Sequence, residues 1–235
     1  MSNMKKNKLA VISSFAEDVI LYKNLPKEIK TGGPAFWIAK TLKILKSKAD
    51  IFTGKKPAVV EITIDKTGEH GKIKSASTIK TPIKTSADFL LISTVADEFD
   101  LEKLNKLNKK VILDVQGYTR VSRTKNKLFN LPIQTAEKIT VMKCTEAESK
   151  LMEKELVQQQ KKRILLITRG GKNVIIFSRG KKYELPVLPI KPTDTIGAGD
   201  TFLTAFTVKL IKDEDVIEAT KFAVKFTGDF LKSKT

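Results

Sequence analysis

Short, continuous apolar runs recur along the chain, and longer amphipathic stretches lie between them. Apolar runs of roughly five residues are typical of parallel strands that are covered on both faces. The runs predicted to be strands are 9–13, 89–94, 111–115, 139–143 and 164–168. The stretches with apolar residues at helical spacing are 34–45, 100–110, 145–160, 201–211 and 213–231. Strands that alternate with helices predict a doubly wound α/β fold with a mostly parallel sheet.

Two regions depart from this alternation, because their polar and apolar residues follow a period of two. Residues 58–77 alternate on both sides of a Thr-Gly-Glu-His-Gly turn, which predicts a hairpin. Together with residues 18–22, this hairpin is expected to form a small sheet that projects from the main one. Residues 173–186 predict a second hairpin, which turns at Arg179-Gly180. Since we find no internal repeat or interdomain linker, we expect residues 1–235 to form a single domain.

Composition is that of a globular protein without a membrane span. Hydrophobic residues make up 41% of the 235 residues and charged residues 30%, and no apolar run approaches the roughly 18 residues that cross a bilayer. Lysines followed by apolar residues at the start imitate a signal peptide, but Glu17-Asp18 ends that run without a convincing cleavage site. One cysteine, Cys144, permits no internal disulfide, and one histidine, His70, excludes a His/Cys metal site. We therefore expect a cytoplasmic protein.

The net charge of +18 permits binding of phosphates, nucleic acid or an acidic membrane surface. Only five of the 44 basic residues are arginine, whereas specific readers of nucleic acid depend on arginine for bidentate contacts. The lysines are scattered, mostly in ones and twos. This pattern favours a solvated lysine coat over a dedicated nucleic-acid surface.

Residues 191–206, KPTDTIGAGDTFLTAF, combine glycines and a carboxylate at the start of an apolar helix. An extended approach through Pro192 and Thr193 is expected to lead into a loop at Gly197-Ala198-Gly199. A helix start offers unpaired N–H groups and the positive end of the helix dipole, and both attract anions. Asp200 follows the loop, and a helix start stabilises the charged form of a carboxylate. A carboxylate beside an anion-binding loop could accept the proton of an attacking hydroxyl.

The stretch 194–202, DTIGAGDTF, closely resembles the C-terminal signature of the ribokinase-like, or phosphofructokinase B, carbohydrate kinases. Four weaker stretches precede it in the chain and occur in that family's order, so the resemblance covers nearly the whole chain. They are GGPAFWIA (32–39), LDVQGYTR (113–120), KCTEAE (143–148) and ITRGGKNVIIF (167–177). LDVQGYTR is similar to a segment of the myo-inositol kinase and archaeal sugar or nucleoside kinase branches.

The resemblance implies an ATP-dependent kinase that acts on a hydroxyl of a small sugar, polyol or nucleoside. It implies an α/β core with a small β lid, which excludes water and in several members forms a homodimer contact. Asp200 matches the family's general base, and Gly197, Ala198 and Gly199 match its anion hole. Thr168 and Gly170 match the turn on the nucleotide side. Glu148 matches a glutamate that acts on Mg²⁺, usually through water.

On the acceptor side, Asp18 matches an aspartate that hydrogen-bonds to substrate hydroxyls. Gly32-Gly33 matches a glycine pair that lets the substrate approach the backbone. Asp194 and the Ile196 carbonyl match a region that binds a monovalent cation such as K⁺ in some members. Trp37 stands where an asparagine often contacts the sugar, which favours a nucleobase or an apolar ring face as its partner. We therefore expect a nucleoside or a cyclic polyol ahead of a phosphorylated hexose.

Two further departures bear on function. Thr145 replaces the family's asparagine before the glutamate, so the ligands around the Mg²⁺ ion can differ from those in the family. Between Phe52 and Pro57 only four residues remain, where family members carry a longer stretch that borders the substrate. These departures and the positive charge leave a second hypothesis, a protein of this fold that has lost catalysis and binds nucleotide or nucleic acid. The intact Gly-Ala-Gly-Asp element weighs against it.

Several of the matched residues also have a purely structural interpretation. Glu148 could be only the capping-box partner of Thr145. Trp37 lies on an apolar helical face and could pack in the core instead of contacting a ligand. Cys144 is expected to be a small buried residue. Arg120 could bind a phosphate or only solvate a loop, and the sequence does not decide between the two.

Overall fold

A computed structural model of the chain describes residues 8–22, 27–65, 68–80, 85–125, 127–187, 190 and 194–234. The strands are β1 (Leu9–Ser13), β2 (Ala16–Tyr22), β3 (Glu28–Gly32), β4 (Ala49–Phe52), β5 (Ala58–Asp65), β6 (Gly68–Ser75), β7 (Phe89–Ser93), β8 (Lys110–Asp114), β9 (Ile139–Thr145), β10 (Ile164–Thr168), β11 (Asn173–Ser178) and β12 (Lys181–Pro186). The helices are α1 (Pro34–Ile44), α2 (Gln116–Thr124), α3 (Ile133–Ala136), α4 (Glu146–Ser149), α5 (Lys154–Lys161), α6 (Ala198–Asp213) and α7 (Val216–Lys232), and a 3-10 helix covers Leu101–Lys106. The approach expected at Pro192 and Thr193 lies outside the described residues.

The main sheet contains all five strands that the apolar runs predicted. In the described part of the chain it has eight strands, in the order β12-β11-β10-β9-β8-β7-β1-β4. The strands from β10 to β4 are parallel, and β11 and β12 form the predicted second hairpin, added antiparallel at one edge. Every residue of β1 and β7 is buried, which explains why these strands are continuously apolar.

Helices cover both faces of the main sheet, so the predicted doubly wound α/β fold is confirmed. Successive side chains of a strand point to opposite faces, and in β1 Leu9 and Val11 join one core while Ala10 and Ile12 join the other. Helices α1, α6 and α7 pack on the first face, and the 3-10 helix, α2, α3 and α5 pack on the second. Within the described ranges, no helix is both long enough and apolar enough to cross a bilayer.

A second sheet, called the small sheet below, consists of β3, β2, β5 and β6 in that order. The predicted hairpin at 58–77 is present as the antiparallel pair β5-β6, and 18–22 belongs to β2. Strand β3 was not predicted, because its residues are exposed except for Gly32 and carry no apolar run. Ala16 and Ala58 of the small sheet pack against Val95, which joins it to the main layer.

Two of the predicted helices were wrong in extent. The stretch 100–110 forms only the 3-10 helix, which ends at Lys106 where Leu107 becomes extended, and β8 begins at Lys110. The stretch 145–160 divides into α4 and α5, because the backbone between them bonds to Phe129 instead of continuing the helix. Phe129 N donates to the Leu151 carbonyl over 2.7 Å, and Glu153 N donates to the Phe129 carbonyl over 2.9 Å.

Candidate active site

The predicted anion loop lies at the start of α6, although its position in the helix differs from the expectation. Gly197 is the N-cap residue with φ 78° and ψ 0°, a left-handed conformation, and the helix begins at Ala198. Ala198 and Gly199 therefore belong to the first turn instead of a preceding loop. A Cβ atom at Gly197 would overlap the Trp37 ring. Glycine is thus required at this position both by the backbone conformation and by the ring beneath it.

Asp200 lies in the first turn of α6, and its side chain is buried against the carboxyl end of the main sheet. Ser93 Oγ donates a hydrogen bond of 3.0 Å to Asp200 Oδ1. Ser13 Oγ donates in turn to the Ser93 carbonyl over 2.6 Å. The two serines end adjacent parallel strands, where ligand sites of α/β sheets usually lie. The sheet edge and the helix start therefore meet at the Asp200 carboxylate.

The ionisation of Asp200 is governed by burial more than by the helix start. Burial raises the pKa of Asp200 from 3.8 to about 6, and the nearby Asp114 charge acts in the same direction. Lys143, the Ser93 hydrogen bond and Arg120 oppose this rise. The sequence-based expectation that the helix start favours the charged form therefore describes only the weaker effect. A carboxylate with this pKa is mostly ionised at pH 7 and is a stronger base than an ordinary aspartate.

A buried ion pair, which the sequence interpretation missed, lies beside the first turn of α6. Lys143 Nζ lies 2.9 Å from Asp114 Oδ2, and both side chains are almost fully buried. Burial acts to lower the pKa of Lys143, but the charges of Asp114, Glu148 and Asp200 outweigh it and raise the pKa above the ordinary lysine value. A Cβ atom at Gly199 would lie 3.1 Å from Lys143 Nζ. The ammonium therefore faces the backbone of the anion loop as a fixed positive charge.

The sequence did contain a signal for this pair. Lys143 interrupts the apolar run ITVMKCT of β9, and Asp114 ends the apolar run of β8. A charged residue in a strand that is otherwise buried requires a partner of opposite charge. The two strands are parallel neighbours, with Asp114 paired to Lys143 in register.

Arg120 extends from α2 toward the same site. Its Nη1 donates to the Val95 carbonyl over 3.4 Å, and its charge acts to lower the pKa of Asp200. Helix α2 approaches the Thr94 and Ala96 carbonyls closely because Gly117 has no side chain. A Cβ atom there would clash with both oxygens. The structure thus places the Arg120 charge within the field of the catalytic candidate, which the sequence alone left undecided.

Glu148 forms the capping box that was its structural interpretation. Glu148 N donates to Thr145 Oγ1 over 3.1 Å, and Thr145 N donates to Glu148 Oε2 over 2.7 Å. The charge of the same carboxylate acts to raise the pKa of Lys143, the ammonium that faces Gly199. Among the described residues, no three His, Cys, Asp or Glu side chains are grouped to hold a metal ion. A magnesium ion at Glu148 would therefore need water and phosphate oxygens as further ligands, which are the ligands it prefers.

Of the predicted nucleotide-side residues, Thr168 pairs in register with Thr145, the capping partner of Glu148. Thr168 ends β10, and Thr168 Oγ1 donates to the Cys144 carbonyl over 3.4 Å. Gly170 has φ 59° in the turn that follows, and a Cβ there would contact nothing. Cys144 is buried as expected, and burial raises the pKa of its thiol to about 12.

The acceptor-side residues come together where the small sheet meets α1. A Cβ atom at Gly32 would lie 2.5 Å from Asp18 Oδ2, so the glycine permits the carboxylate to pack on the backbone. Gly33 has φ 82°, and a Cβ there would lie 2.6 Å from Ala16 N. A cavity of about 330 Å³ beside them is lined by 15–17, Thr31 and 53–57. The shortened stretch of the chain thus borders this cavity.

Trp37 contacts the protein's own loop and helices. Its ring lies beneath Gly197 and packs edge to face with Phe36 and Phe230, at centroid distances of 4.9 and 5.7 Å. These contacts correspond to the structural interpretation of this residue and account for the ring without a ligand. The aromatic-wall argument for the acceptor consequently gains no support from the position of Trp37.

The two oxygens expected to bind a monovalent cation both accept from a lysine. Lys234 Nζ donates to Asp194 Oδ2 over 2.8 Å and to the Ile196 carbonyl over 2.6 Å. Asp194 Oδ1 accepts from Ile196 N over 2.7 Å. Partial burial acts to raise the pKa of Asp194, but Lys234 and the Ile196 N–H together lower it below its usual range.

The fold and the site together define an α/β protein with an anion loop at a helix start and a buried carboxylate and ammonium beside it. A sequence model of the pfkB family carbohydrate kinases matches residues 48–228. The chain belongs to this family.

Three proteins illustrate the likeness. The ribokinase of Bacillus subtilis is 42% identical over 59 residues, which are 25% of this chain and only 20% of that protein. A ribokinase of Arabidopsis thaliana, solved with ribose and ATP, has a TM-score of 0.75 at 18% identity and covers 97% of this chain and 94% of its own. The nucleoside kinase of Methanocaldococcus jannaschii has a TM-score of 0.70 at 17% identity, covering 97% and 92%. At these identities the two structures show a shared ribokinase fold.

Proposed function

We propose that this protein transfers the γ-phosphoryl group of ATP to a hydroxyl of a small sugar, cyclic polyol or nucleoside. The observation that carries the proposal is the buried Asp200 carboxylate in the first turn of α6, next to Gly199 and the Lys143 ammonium. Family membership supports phosphoryl transfer as the reaction class. The Arabidopsis ribokinase solved with ATP supports this nucleotide as the donor.

Asp200 acts as the general base in the proposed reaction. Its carboxylate accepts a hydrogen bond from the acceptor hydroxyl and takes the proton while the acceptor oxygen forms a bond to the γ-phosphorus. The bond from phosphorus to the bridging oxygen breaks, and its electron pair leaves with ADP. Because the pKa of Asp200 is about 6, the carboxyl group then releases the proton to solvent at neutral pH.

The chain offers two sources of positive potential for the transferring phosphoryl group. The backbone N–H groups of Gly197, Ala198 and Gly199 lie at the start of α6, where first-turn N–H groups have no partner within the helix. Ala198 N donates to the Thr195 carbonyl over 3.1 Å, so this N–H would have to exchange that bond for one to the phosphoryl group. Lys143 adds an ammonium that is already desolvated and held by Asp114, so it needs no rearrangement when charge develops. Glu148 would hold Mg²⁺ through water, and the ion when bound would neutralise phosphate charge.

The acceptor would bind between Asp18, the Gly32-Gly33 backbone and the small sheet, which would exclude water as a competing acceptor. A nucleoside or cyclic polyol remains our proposed acceptor ahead of a phosphorylated hexose. Support for it comes from the LDVQGYTR segment and from the fold shared with a nucleoside kinase. A K⁺ ion at Asp194 would compete with Lys234 for the same oxygens.

The proposal is tested by screening sugars, polyols and nucleosides, with and without phosphate groups, for ATP consumption and product formation. Asp200→Asn is expected to lose roughly 10²- to 10⁴-fold in kcat, since it removes the general base. Asp213→Asn is the matched control, because Asp213 lies at the far end of the same helix and pairs with Lys209 near the surface. An Asp200→Asn protein with near wild-type turnover would show that the base is misassigned. Nucleotide binding without turnover of any acceptor would favour the catalytically inactive alternative.

A further inference from the structure

The segment that leads into the anion loop is fastened by a lysine that follows α7. Lys234 Nζ donates to Asp194 Oδ2 over 2.8 Å and to the Ile196 carbonyl over 2.6 Å. The Lys234 side chain is only 14% exposed. Exposed ion pairs contribute little, but this lysine side chain is mostly buried, and its ammonium has two oxygen acceptors directly before Gly197.

The same ammonium also faces two aromatic rings. Its Nζ lies 4.4 Å from the centroid of the Trp37 ring and 5.0 Å from that of Phe230. A cation over an aromatic face is attracted by the ring's electron density, most strongly by tryptophan. Since the Trp37 ring also lies beneath Gly197, one charge connects α1, α7 and the start of α6.

A carboxylate oxygen, a carbonyl oxygen and two ring faces form a receptor for a monovalent cation. The resemblance described above assigns K⁺ to the first two of these groups, Asp194 and the Ile196 carbonyl. The residues of this chain do not fit that ion. A K⁺ bound to both oxygens would lie within a few ångströms of the Lys234 ammonium, where two positive charges repel strongly in a partly buried site.

We propose that Lys234 is a tethered substitute for the monovalent cation and acts as a positioning residue for the anion loop. Its ammonium holds Asp194 and the Ile196 carbonyl, which fixes the direction from which the chain enters Gly197. The chain therefore requires no added K⁺ to order this loop. The consequence for catalysis rests on the proposed function, whereas the occupancy of the cation position by Lys234 does not.

Trp37, the single tryptophan of the sequence, allows a test that needs neither nucleotide nor acceptor. KCl is titrated into the wild-type protein and into Lys234→Met, against choline chloride at equal ionic strength, while tryptophan emission is recorded. We expect the wild-type emission to show no saturable response to K⁺. The emission of Lys234→Met is expected to differ and to return toward the wild-type value saturably with K⁺, because both oxygens are then available to the ion. Lys234→Arg keeps the charge and is expected to resist K⁺ as the wild type does.

Lys40 provides the matched control, because its Nζ faces the Trp37 ring from 5.4 Å without bonding either loop oxygen. Lys40→Met is expected to alter the emission without creating a response to K⁺. A saturable K⁺ response of the wild type, or its absence in a folded Lys234→Met protein, would overturn the inference. If Lys234→Met does not fold, the wild-type titration decides alone.

In turnover assays, displacement of the loop in Lys234→Met should reduce kcat by roughly tenfold to a hundredfold, with partial recovery in K⁺. Failure of the kinase proposal would leave the fluorescence result unaffected.

Discussion

At Asp200, two physical effects of opposite sign meet in one side chain. The helix start stabilises the carboxylate, whereas burial beneath α6 and the neighbouring Asp114 destabilise it, and the second pair of effects prevails. The fold therefore holds a negative charge that it would be more stable without. A buried charge that lowers stability is common at catalytic positions, because the same burial that costs stability produces a stronger base.

The cost can be measured by comparing Asp200→Asn with the wild type across pH. The pKa of Asp200 is about 6 in the folded state, above the ordinary value of 3.8, so its stabilising contribution is complete below pH 3.8 and is lost as pH rises through 6. The difference corresponds to about 3 kcal/mol once the group is fully ionised. Asparagine avoids this cost. We expect Asp200→Asn to be more stable than the wild type at pH 8 and equally stable near pH 4, as measured by urea unfolding.

Asp213→Asn serves as the control for this experiment too, because it makes the same change of carboxylate to amide at the exposed far end of α6, outside the buried site. A lower stability of Asp200→Asn than of the wild type at pH 8 would mean that Lys143 and Ser93 stabilise the charge more than burial opposes it.

Single residues differ in how far the sequence reveals them. The Gly-Ala-Gly-Asp motif is local, so its chemistry can be predicted from a few adjacent letters. Lys143 and Asp114 lie 29 positions apart, yet each is visible as a charge in an apolar strand. The contact of Lys234 with Asp194 joins positions 40 apart in segments with no pattern to link them. Only the packing of α7 beside α6 brings these two residues together.

At the scale of elements, the start of α6 depends on α1, because the Trp37 ring lies where a side chain of residue 197 would be. The left-handed turn at Gly197 and the ring beneath it together fix where the first-turn N–H groups point. The proposed anion hole therefore depends on two packed helices and not on the glycine motif alone.

Gly197→Ala tests this dependence, with Gly170→Ala as its matched control. Both glycines have positive φ, 78° and 59°, but a Cβ at Gly170 would contact nothing whereas one at Gly197 overlaps Trp37. The left-handed conformation alone costs a non-glycine residue roughly 1–2 kcal/mol, so Gly170→Ala should lose about that much stability. Gly197→Ala should lose more and should also change the tryptophan emission. Denaturant unfolding followed by fluorescence measures both quantities, and equal losses in the two variants would argue against a role for the ring.

Helices and strands could be predicted where burial imposes a pattern of apolar residues. They could not be predicted where contacts with distant parts of the chain determine the structure. The inner parallel strands β1, β7, β8, β9 and β10 of the main sheet are covered on both faces, so their apolar runs were sufficient. Strand β4 is only half-buried at the sheet edge, β3 is exposed, and α2 has the polar sequence QGYTRVSRT, so none of the three was predicted. The division of 145–160 into two helices follows from backbone bonds to Phe129, a partner that the helical pattern cannot show.

At the scale of the whole molecule, the excess of positive charge is largely separate from the site. The buried Lys143 is neutralised by Asp114, and the exposed Lys182, Lys221 and Lys225 pair with acidic neighbours on their own strand or helix. This arrangement agrees with a solvated coat and gives no support to nucleic acid as a partner. A cytoplasmic location remains a prediction from the single cysteine.

The small sheet offers a surface through which two chains can assemble. Strand β3 lies at the edge of that sheet, and its Ile29 is 58% exposed. Edge strands with exposed apolar residues readily pair with another chain, so we expect a homodimer in which β3 lies at the contact. Ile29→Glu should weaken the dimer by about tenfold or more, equivalent to ~1.4 kcal/mol. Ile44→Glu, at an isoleucine of similar exposure (55%) at the end of α1, should leave the dimer intact. Size-exclusion chromatography with light scattering measures both variants. A monomeric wild type would contradict the homodimer, and an equal response of the two variants would place the contact outside β3.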